Sequence, residues 1–296
     1  MSRFRYSGDD DDVDDVVAPP PTRRSRPPRR EPDIYIDPRL AAGGTLSSYP
    51  DAVHGPAPIP SWVVTSGNAI DTDHGPLKTG KEADVHLVER RDPDCGSTSL
   101  LAAKRYRDGE HRLFHRDAGY LEGRRIRKSR ETRAMANRTG LGRALIAQQW
   151  AVTEFDTLGR LWTAGIPVPY PVQLSGTEVL MELIGTDGTP APRLAEVDLD
   201  TAALQTLWEQ CVEVICAVGS TGYTHGDLSA FNVLVDDGRI VLIDVPQIVD
   251  IVINPQGRQF LSRDCRNLAT WFERRGVAAD AEQLEALVLR SRPHRP

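Results

Sequence analysis

The sequence predicts an α+β fold with two lobes, and three observations support this. Residues 83–90 (ADVHLVER) and 99–105 (SLLAAKR) are predicted to form two strands, which a polar turn joins. Residues 144–164 and 201–218 carry apolar side chains at helical spacing. Further helical patterns dominate the C-terminal third. Because strands prevail early and helices prevail late, we expect a strand-rich lobe followed by a helical one.

The ends of these elements are marked by specific residues. Gly165 is a stop signal for the first long helix, while Asp200 can cap the second and Gly219 can end it. The other predicted elements are a short buried strand at 178–184, a hairpin with strands 233–235 and 240–243 around a DDG turn, and helices near 259–274 and 279–289.

The N-terminal region has a different composition from the rest of the chain. Residues 1–60 hold 11 of the 22 prolines, an acidic run at 9–15 and a basic run at 23–30. Such a segment cannot bury enough apolar surface to offset the cost of ordering the chain. We therefore expect a disordered tail over 1–60, an N-terminal lobe over 61–184 and a C-terminal lobe over 185–296.

Composition excludes several classes of protein. The chain of 296 residues is 40% hydrophobic with a formal net charge of −6, which suits a folded core. Its longest apolar run is five residues, so we expect no membrane-spanning helix and no secretory signal. Its four cysteines lack a CxxC spacing, which argues against a zinc site or disulfide framework and favours a cytoplasmic location.

The strongest chemical signal is YTHGDLSAFNVLV at residues 223–235. It contains Asp227 and, five positions later, Asn232, between a predicted helix and the hairpin. Because the hairpin folds back, Asp244 at its far end can return close to Asn232. Phosphoryl transfer from ATP needs such a set: one carboxylate to orient the acceptor hydroxyl and take its proton, and amide and carboxylate oxygens to hold Mg²⁺.

Residues upstream complete a candidate phosphotransferase site. Lys104 lies on an apolar strand, where an ammonium is costly unless it is paired or faces a ligand. An ion pair with Glu154 on the first long helix would direct Lys104 at the phosphates. In the loop LKTGKEA, Thr79, Gly80 and Lys81 could cover the phosphates with backbone N–H groups and a cation.

Each residue taken singly has an ordinary structural interpretation. A strand lysine is usually a snorkelling edge residue, and Glu154 alone reads as a solvated helix residue. Asp244 after a strand could cap a turn. The order of the elements, however, favours a kinase-like phosphotransferase site: covering loop, strand lysine, helix glutamate, apolar strand, HGDxxxxN, hairpin and aspartate.

These motifs together resemble the RIO family of atypical serine/threonine protein kinases, more its type-one than its type-two branch. No winged helix of the type-two kind fits into residues 1–60. The matching segments are TGKEADV at 79–85, WAVTEFDTL at 150–158, HGDLSAFNVL at 225–234, IDVPQ at 243–247 and LSRDCRN at 261–267.

The resemblance implies a two-lobed protein-kinase-like fold with a truncated C-terminal lobe, which binds ATP with Mg²⁺ or Mn²⁺. It implies phosphorylation of protein serine, including the protein itself. In that family's pattern Asp227 is the catalytic base, Asn232 and Asp244 are metal ligands, and Lys104 binds the phosphates. Residues from Glu182 to Ile184 form the adenine-reading hinge. Asp244 is also a candidate phosphate acceptor, so the protein could act largely as an ATPase switch.

A basic insertion separates the lysine strand from the glutamate helix. Residues 105–143 contain 12 Lys and Arg against 5 Asp and Glu, a net charge of +7 in an acidic protein. One interpretation is an electropositive surface for RNA, since family members act on precursors of the small ribosomal subunit, so ribosomal RNA or ribosome-assembly factors are candidate partners. The other is a solvated surface insertion, which its few aromatic residues favour.

Two rival functions stay open beside a RIO-type kinase or ATPase. A small-molecule kinase of the aminoglycoside or choline type shares HGDxxxxN and a following Ile-Asp, although it usually has a longer helical lobe. An RNA-binding scaffold without catalysis is the other, and the presence of every expected catalytic side chain argues against it. We expect His225 to support the backbone of the catalytic loop rather than to transfer protons.

Overall fold

The computed structural model describes residues 43–107, 140–246 and 248–292, with side chains in the second stretch described from residue 145. Residues 1–42, most of the basic insertion (108–139), Gln247 and residues 293–296 lie outside this description. The predictions that concern them therefore stay predictions.

The described chain is an α+β structure. Its strands are β1 Thr45–Leu46, β2 Val53–His54, β3 Ile70–Thr79, β4 Ala83–Arg91, β5 Thr98–Tyr106, β6 Pro171–Ser175, β7 Glu178–Glu182, β8 Gly185–Thr186, β9 Thr189–Pro190, β10 Tyr223–Thr224, β11 Val233–Asp236, β12 Arg239–Leu242 and β13 Val249–Asp250. Its α-helices are α1 Gly140–Thr163, α2 Thr201–Ser220, α3 Gly257–Glu273 and α4 Ala281–Ser291.

One seven-stranded antiparallel sheet forms the first part of the fold, in the order β1-β3-β4-β5-β7-β6-β2. Strands β1 and β2 lie at its opposite edges, although only seven peptide steps separate Leu46 from Val53. Those steps reach at most about 24 Å. Six spacings of a flat sheet would span about 29 Å. The sheet must therefore curl so that its edges approach each other.

The two faces of this sheet carry different cores. Lys104 is paired with Val85 on β4 and with Val179 on β7, so these side chains share one face, against which α1 packs. Leu101 and Ala103 point to the other face, inside the curl, where they pack with Tyr49 and other buried residues. Alternation along β5 thus places Lys104 on one face of the sheet and Leu101 and Ala103 on the other.

The predicted boundary of the tail at residue 60 is too late. Strands β1 and β2 both pair within the sheet, and Tyr49 between them is buried. Prolines and glycines interrupt the apolar residues of this segment. The sequence therefore shows no periodicity that would distinguish the segment from a disordered tail. The pairing partners that give this segment its structure lie far along the chain.

Most predicted elements occur with small shifts at their ends. Asp200 caps α2 by accepting a hydrogen bond from the Ala203 N–H at 2.8 Å, but the helix continues past Gly219 to Ser220. Gly165 follows α1 with a φ of +75°, as a stop requires. Strand β7 ends at Glu182 rather than at residue 184.

Strand β3 was not predicted. Its sequence IDTDHGPLKT contains Gly75 and Pro76, and the pairing with β4 shifts register on both sides of them. A strand with such bulges loses the strict alternation that identifies strands in sequence. The covering loop therefore shortens to a turn between two paired strands.

Helices α2, α3 and α4 form the second part of the fold, together with the β11–β12 hairpin. Their apolar faces join one core with α1, and the fully buried side chains there include Leu261, Cys265, Leu268, Phe272 and Leu284. The hairpin turns at Asp237 and Gly238, both with positive φ, as the DDG sequence predicts. Within the described ranges, none of the helices combines the length and apolarity needed to cross a membrane.

Candidate active site

The predicted ion pair between Lys104 and Glu154 is present. The Lys104 Nζ lies 2.6 Å from the Glu154 Oε1, and both side chains are largely buried. Glu154 projects from α1 next to the apolar stripe of Ala151 and Phe155, so the helix packing that buries the stripe also buries the carboxylate. Fifty positions of sequence separate the two partners, and the α1–sheet contact brings them together.

Asp244 contacts the same ammonium group from the C-terminal part of the fold. Its Oδ1 lies 2.8 Å from the Lys104 Nζ, although 140 positions separate the residues. Asp244 follows β12 with a φ of +64°, a left-handed conformation that is uncommon for a residue with a side chain. Its carboxylate remains 49% exposed, whereas Lys104 is only 12% exposed, so the site opens towards solvent on the Asp244 side.

The charges of this cluster support one another. Burial alone would lower the pKa of Lys104, but Asp244 and Glu154 outweigh it and raise that pKa well above its usual value. Conversely, Lys104 holds the pKa of Asp244 below its usual value. Lysine and aspartate are therefore both ionised at neutral pH, as a site for a phosphate and a metal ion requires.

Hydrogen bonds to backbone groups hold the loop that contains Asp227. The Asn232 amide nitrogen donates to the Asp227 carbonyl at 2.9 Å, and the Ile243 N–H donates to the Asn232 carbonyl at 3.1 Å. The second bond places Asp244, the next residue, beside Asn232, as the hairpin geometry predicts. His225 is buried, and its Nε2 lies 3.0 Å from the Ile243 carbonyl. Its Nδ1 also lies 3.4 Å from the Asp227 backbone nitrogen, so both ring nitrogens contact the backbone, and its predicted supporting role stays a prediction.

Asp264 on α3 contacts the loop of Asp227, and the sequence argument did not single it out. It is fully buried, and its carboxylate accepts from the Gly226 N–H at 2.6 Å and the Leu228 N–H at 3.0 Å. It also accepts from the Thr224 hydroxyl at 2.7 Å. The residues on both sides of Asp227 are thus held by one carboxylate. The available signal was an aspartate at helical spacing between apolar Leu261 and Leu268.

The covering segment around Thr79, Gly80 and Lys81 differs in detail from the prediction. Thr79 is the last residue of β3, and the Gly80 N–H donates to the Ala83 carbonyl at 3.0 Å. That N–H is therefore already used within the turn. A β-carbon at Gly80 would approach the same carbonyl to 2.8 Å, so the tight turn requires glycine. Lys81 is exposed at the tip.

The predicted hinge begins at Glu182, the last residue of β7, and lies between the two parts of the fold. The Glu182 N–H donates to the Tyr170 carbonyl, and the Ile184 carbonyl accepts from the Ala191 N–H, both at 2.9 Å. These two groups are used by the protein itself, so recognition of adenine would depend on other backbone groups of the hinge. Burial raises the pKa of the Glu182 carboxyl above its usual value.

The oxygen atoms near Asp244 suit a hard divalent ion completed by phosphate oxygens. Because the Asn232 amide nitrogen is engaged with Asp227, its amide oxygen is the atom left to bind a metal beside the Asp244 carboxylate. Among the described residues, no three His, Cys, Asp or Glu side chains converge as a complete metal site. Mg²⁺ commonly takes one or two protein oxygens together with substrate phosphates and water, so this incomplete set fits it.

The fold is kinase-like. Its strand-rich part carries a lysine–glutamate pair, and its helical part carries an HGDxxxxN loop followed by an aspartate. Residues 99–285, more than half of the chain, match the RIO domain family. The chain belongs to this family, as the motifs predicted.

Similar proteins are named as RIO-type serine/threonine kinases. The chain is 35% identical to the RIO-type serine/threonine-protein kinase Rio1 of Haloferax volcanii, over 74% of this chain and 69% of that protein. It is 33% identical to the serine/threonine-protein kinase RIO1 of Caenorhabditis elegans, over 71% of this chain and 39% of that protein. It is 34% identical to the human protein of the same name, over 69% of this chain and 34% of that protein. The chain thus matches about two thirds of the archaeal relative and little more than a third of the others.

Proposed function

We propose that the chain is an ATP-dependent kinase that transfers phosphate to serine or threonine of proteins, including itself, with Mg²⁺ or Mn²⁺ as the metal. A single observation carries this proposal. Lys104, Glu154 and Asp244 come from three distant parts of the sequence, yet carboxylate oxygens of Glu154 and Asp244 both lie within hydrogen-bond distance of the Lys104 ammonium. Named serine/threonine kinases among the relatives support the class of reaction.

Each residue of the site has a specific role in this proposal. Lys104 binds and orients the α- and β-phosphates, with Glu154 holding its ammonium in place. Asn232 and Asp244 would hold the metal, which when bound neutralises charge on the phosphates. Asp227 orients the acceptor hydroxyl and takes its proton. Thr79, Gly80 and Lys81 cover the phosphates, and the hinge from Glu182 to Ile184 receives adenine.

The test is incubation of the full chain with γ-labelled ATP and Mg²⁺, followed by detection of label in protein. We expect Asp227→Ala and Asp244→Asn to abolish labelling. Asp237→Asn, an exposed aspartate in the β11–β12 turn, serves as the matched control and should label like the parent. Label in choline or an aminoglycoside, with none in protein, would support the rival small-molecule kinase. Unchanged ATP hydrolysis in both site variants would support the scaffold.

Asp244 itself is a second candidate acceptor of phosphate. Its carboxylate is half exposed, and only its Oδ1 bonds to Lys104. In that case the main output would be an ATPase cycle through an acyl phosphate rather than protein phosphorylation. Treatment of labelled protein with hydroxylamine separates the two, since an acyl phosphate on Asp244 releases its label and phosphoserine retains it.

We also propose RNA as a partner of the basic insertion. We propose the cytoplasm as the location of the protein. Two of the insertion's cations, Arg105 and Arg107, are engaged with carboxylates of the sheet. The RNA interpretation therefore depends on the cations beyond them. Binding of labelled RNA over a salt series tests it, because each phosphate contact adds to the slope of affinity against salt.

A further inference from the structure

Tyr106 lies beside the Lys104–Glu154 pair and makes a contact that the proposed function does not use. It is the last residue of β5, two positions beyond Lys104, so both side chains point to the same face of the sheet. The Tyr106 hydroxyl donates to the Glu154 Oε2 at 2.5 Å, and Lys104 holds the other oxygen at 2.6 Å. Tyr106 and Glu154 are both buried.

The two contacts fix different properties of the carboxylate. Contact with the lysine alone would leave Glu154 free to turn about its terminal torsion, which has a broad energy profile. The phenol fixes the second oxygen and hence the plane of the group. The Lys104 ammonium also lies 5.2 Å from the centre of the Tyr106 ring, so the ring covers one side of the pair.

We propose that Tyr106 is a positioning residue for ATP turnover, which holds Glu154 so that Lys104 stays directed at the phosphates. Without the hydroxyl, one oxygen of a buried carboxylate loses its partner and Glu154 competes less well for the ammonium. Asp244 is the other acidic partner of Lys104, so the ammonium would shift towards it and away from the phosphates. This inference rests on the proposed roles of Lys104 and Glu154.

The test compares Tyr106→Phe, Glu154→Gln and the double variant of the full chain. We expect Tyr106→Phe to lower kcat about tenfold while the KM for ATP changes less than about threefold, because a misdirected group impairs the reaction more than binding. In the Glu154→Gln background the same change should alter kcat less than about twofold, since its effect is transmitted by Glu154. Turnover is compared well below each variant's melting temperature.

Tyr170→Phe is the matched control. Tyr170 is also a buried tyrosine, and its hydroxyl donates to the Pro56 carbonyl at 2.9 Å in the core on the other face of the sheet. Its loss should lower the melting temperature as much as Tyr106→Phe does, but leave kcat unchanged. A parental kcat in Tyr106→Phe, or effects that multiply in the double variant, would overturn the inference. A parental kcat in Glu154→Gln would instead contradict the role proposed for Glu154.

A second readout needs no nucleotide. The rate at which an amine-reactive acylating reagent modifies Lys104 is measured by mass spectrometry on the nucleotide-free chain. A shift of Lys104 towards the half-exposed Asp244 brings its amine closer to solvent, so Tyr106→Phe should raise the rate at least about threefold. Tyr170→Phe should leave the rate unchanged. Equal rates in parent and Tyr106→Phe would argue against the positioning role.

Discussion

The two faces of the sheet each contain a buried cation, and their comparison separates a candidate active site from a structural ion pair. Arg90 on β4 is fully buried, and it bonds Asp71 at 2.7 and 2.8 Å and the Gln173 side chain at 2.8 Å. Lys104 on β5 is paired just as closely with Glu154 and Asp244. In sequence both cations lie near the end of a strand, and an arginine directly follows each of them.

The difference lies in the partners. Asp71 and Gln173 are side chains of paired strands, and the Tyr49 ring lies 5.6 Å from the Arg90 guanidinium. Every group around Arg90 is therefore part of the sheet or of the segment that joins its edges. One partner of Lys104, in contrast, is a half-exposed aspartate in a left-handed conformation on a loop. A buried cation points to chemistry only where one of its partners faces solvent.

Of the two buried cations, Lys104 should have the larger effect on activity when it is replaced by alanine. Loss of the cation removes stabilisation of phosphate charge, and removal of one such group typically costs about 100-fold or more in kcat. Glu154 loses its counter-charge, which costs stability, but it keeps its bond to Tyr106, and Asp244 can reach water, so the fold should survive. Steady-state ATP turnover measures kcat, and circular dichroism shows whether the variant is folded. Turnover at the parental rate would show that Lys104 has no role in the reaction.

Arg90→Ala should give the opposite pattern. Its loss leaves Asp71, which is partly buried, without its counter-charge, and breaking a buried pair typically costs about 3–5 kcal/mol of stability. Urea unfolding gives the free energy, and turnover by the remaining folded protein should stay near the parental value. A loss of kcat without a loss of stability would contradict the structural role assigned to Arg90.

The sequence distinguished these two cations because Lys104 belongs to an ordered set of motifs. The strands around it, the α1 helix and the HGDxxxxN loop all have local periodicity, so the Lys104–Glu154–Asp244 cluster could be predicted. Asp71 and Tyr49 could not, because β3 and the segment before it take their structure from distant partners and a bulged register. Asp264 and Tyr106 also escaped prediction, since their functions depend on hydrogen bonds across the core rather than on spacing.

A third prediction concerns Asp264, which lies in the core as Arg90 does but acts on the loop of Asp227. In Asp264→Asn an amide nitrogen would face an N–H donor of Gly226 or Leu228, which leaves a buried donor without an acceptor and typically costs about 1–3 kcal/mol. The loop should shift, so that kcat falls by about tenfold while the KM for ATP changes little. A loss of stability with parental kcat would make Asp264 purely structural, like Arg90.

The smallest effect is expected at Asp73, two positions from Asp71 on the same strand, where the ion pair is exposed. Partial burial raises the pKa of Asp73, but hydrogen bonds from Arg105, the Gly75 N–H and His86 outweigh it and lower that pKa to about 2. The usual value in an unfolded chain is about 3.9, so Asp73 stabilises the fold above pH of about 4, and this contribution is lost as the pH falls towards about 2.

Asp73→Asn should therefore cost less than about 1 kcal/mol at neutral pH, as exposed pairs do. Urea unfolding of parent and variant at pH 7, 5, 4 and 3 measures the gap between them. We expect a constant gap down to pH 5 and a smaller one below pH 4, because the carboxylate of the unfolded parent then binds a proton while that of the folded parent, with its pKa of about 2, is still ionised. A gap as large as that of Arg90→Ala, or one that widens in acid, would show that solvent exposure does not separate the two neighbouring pairs.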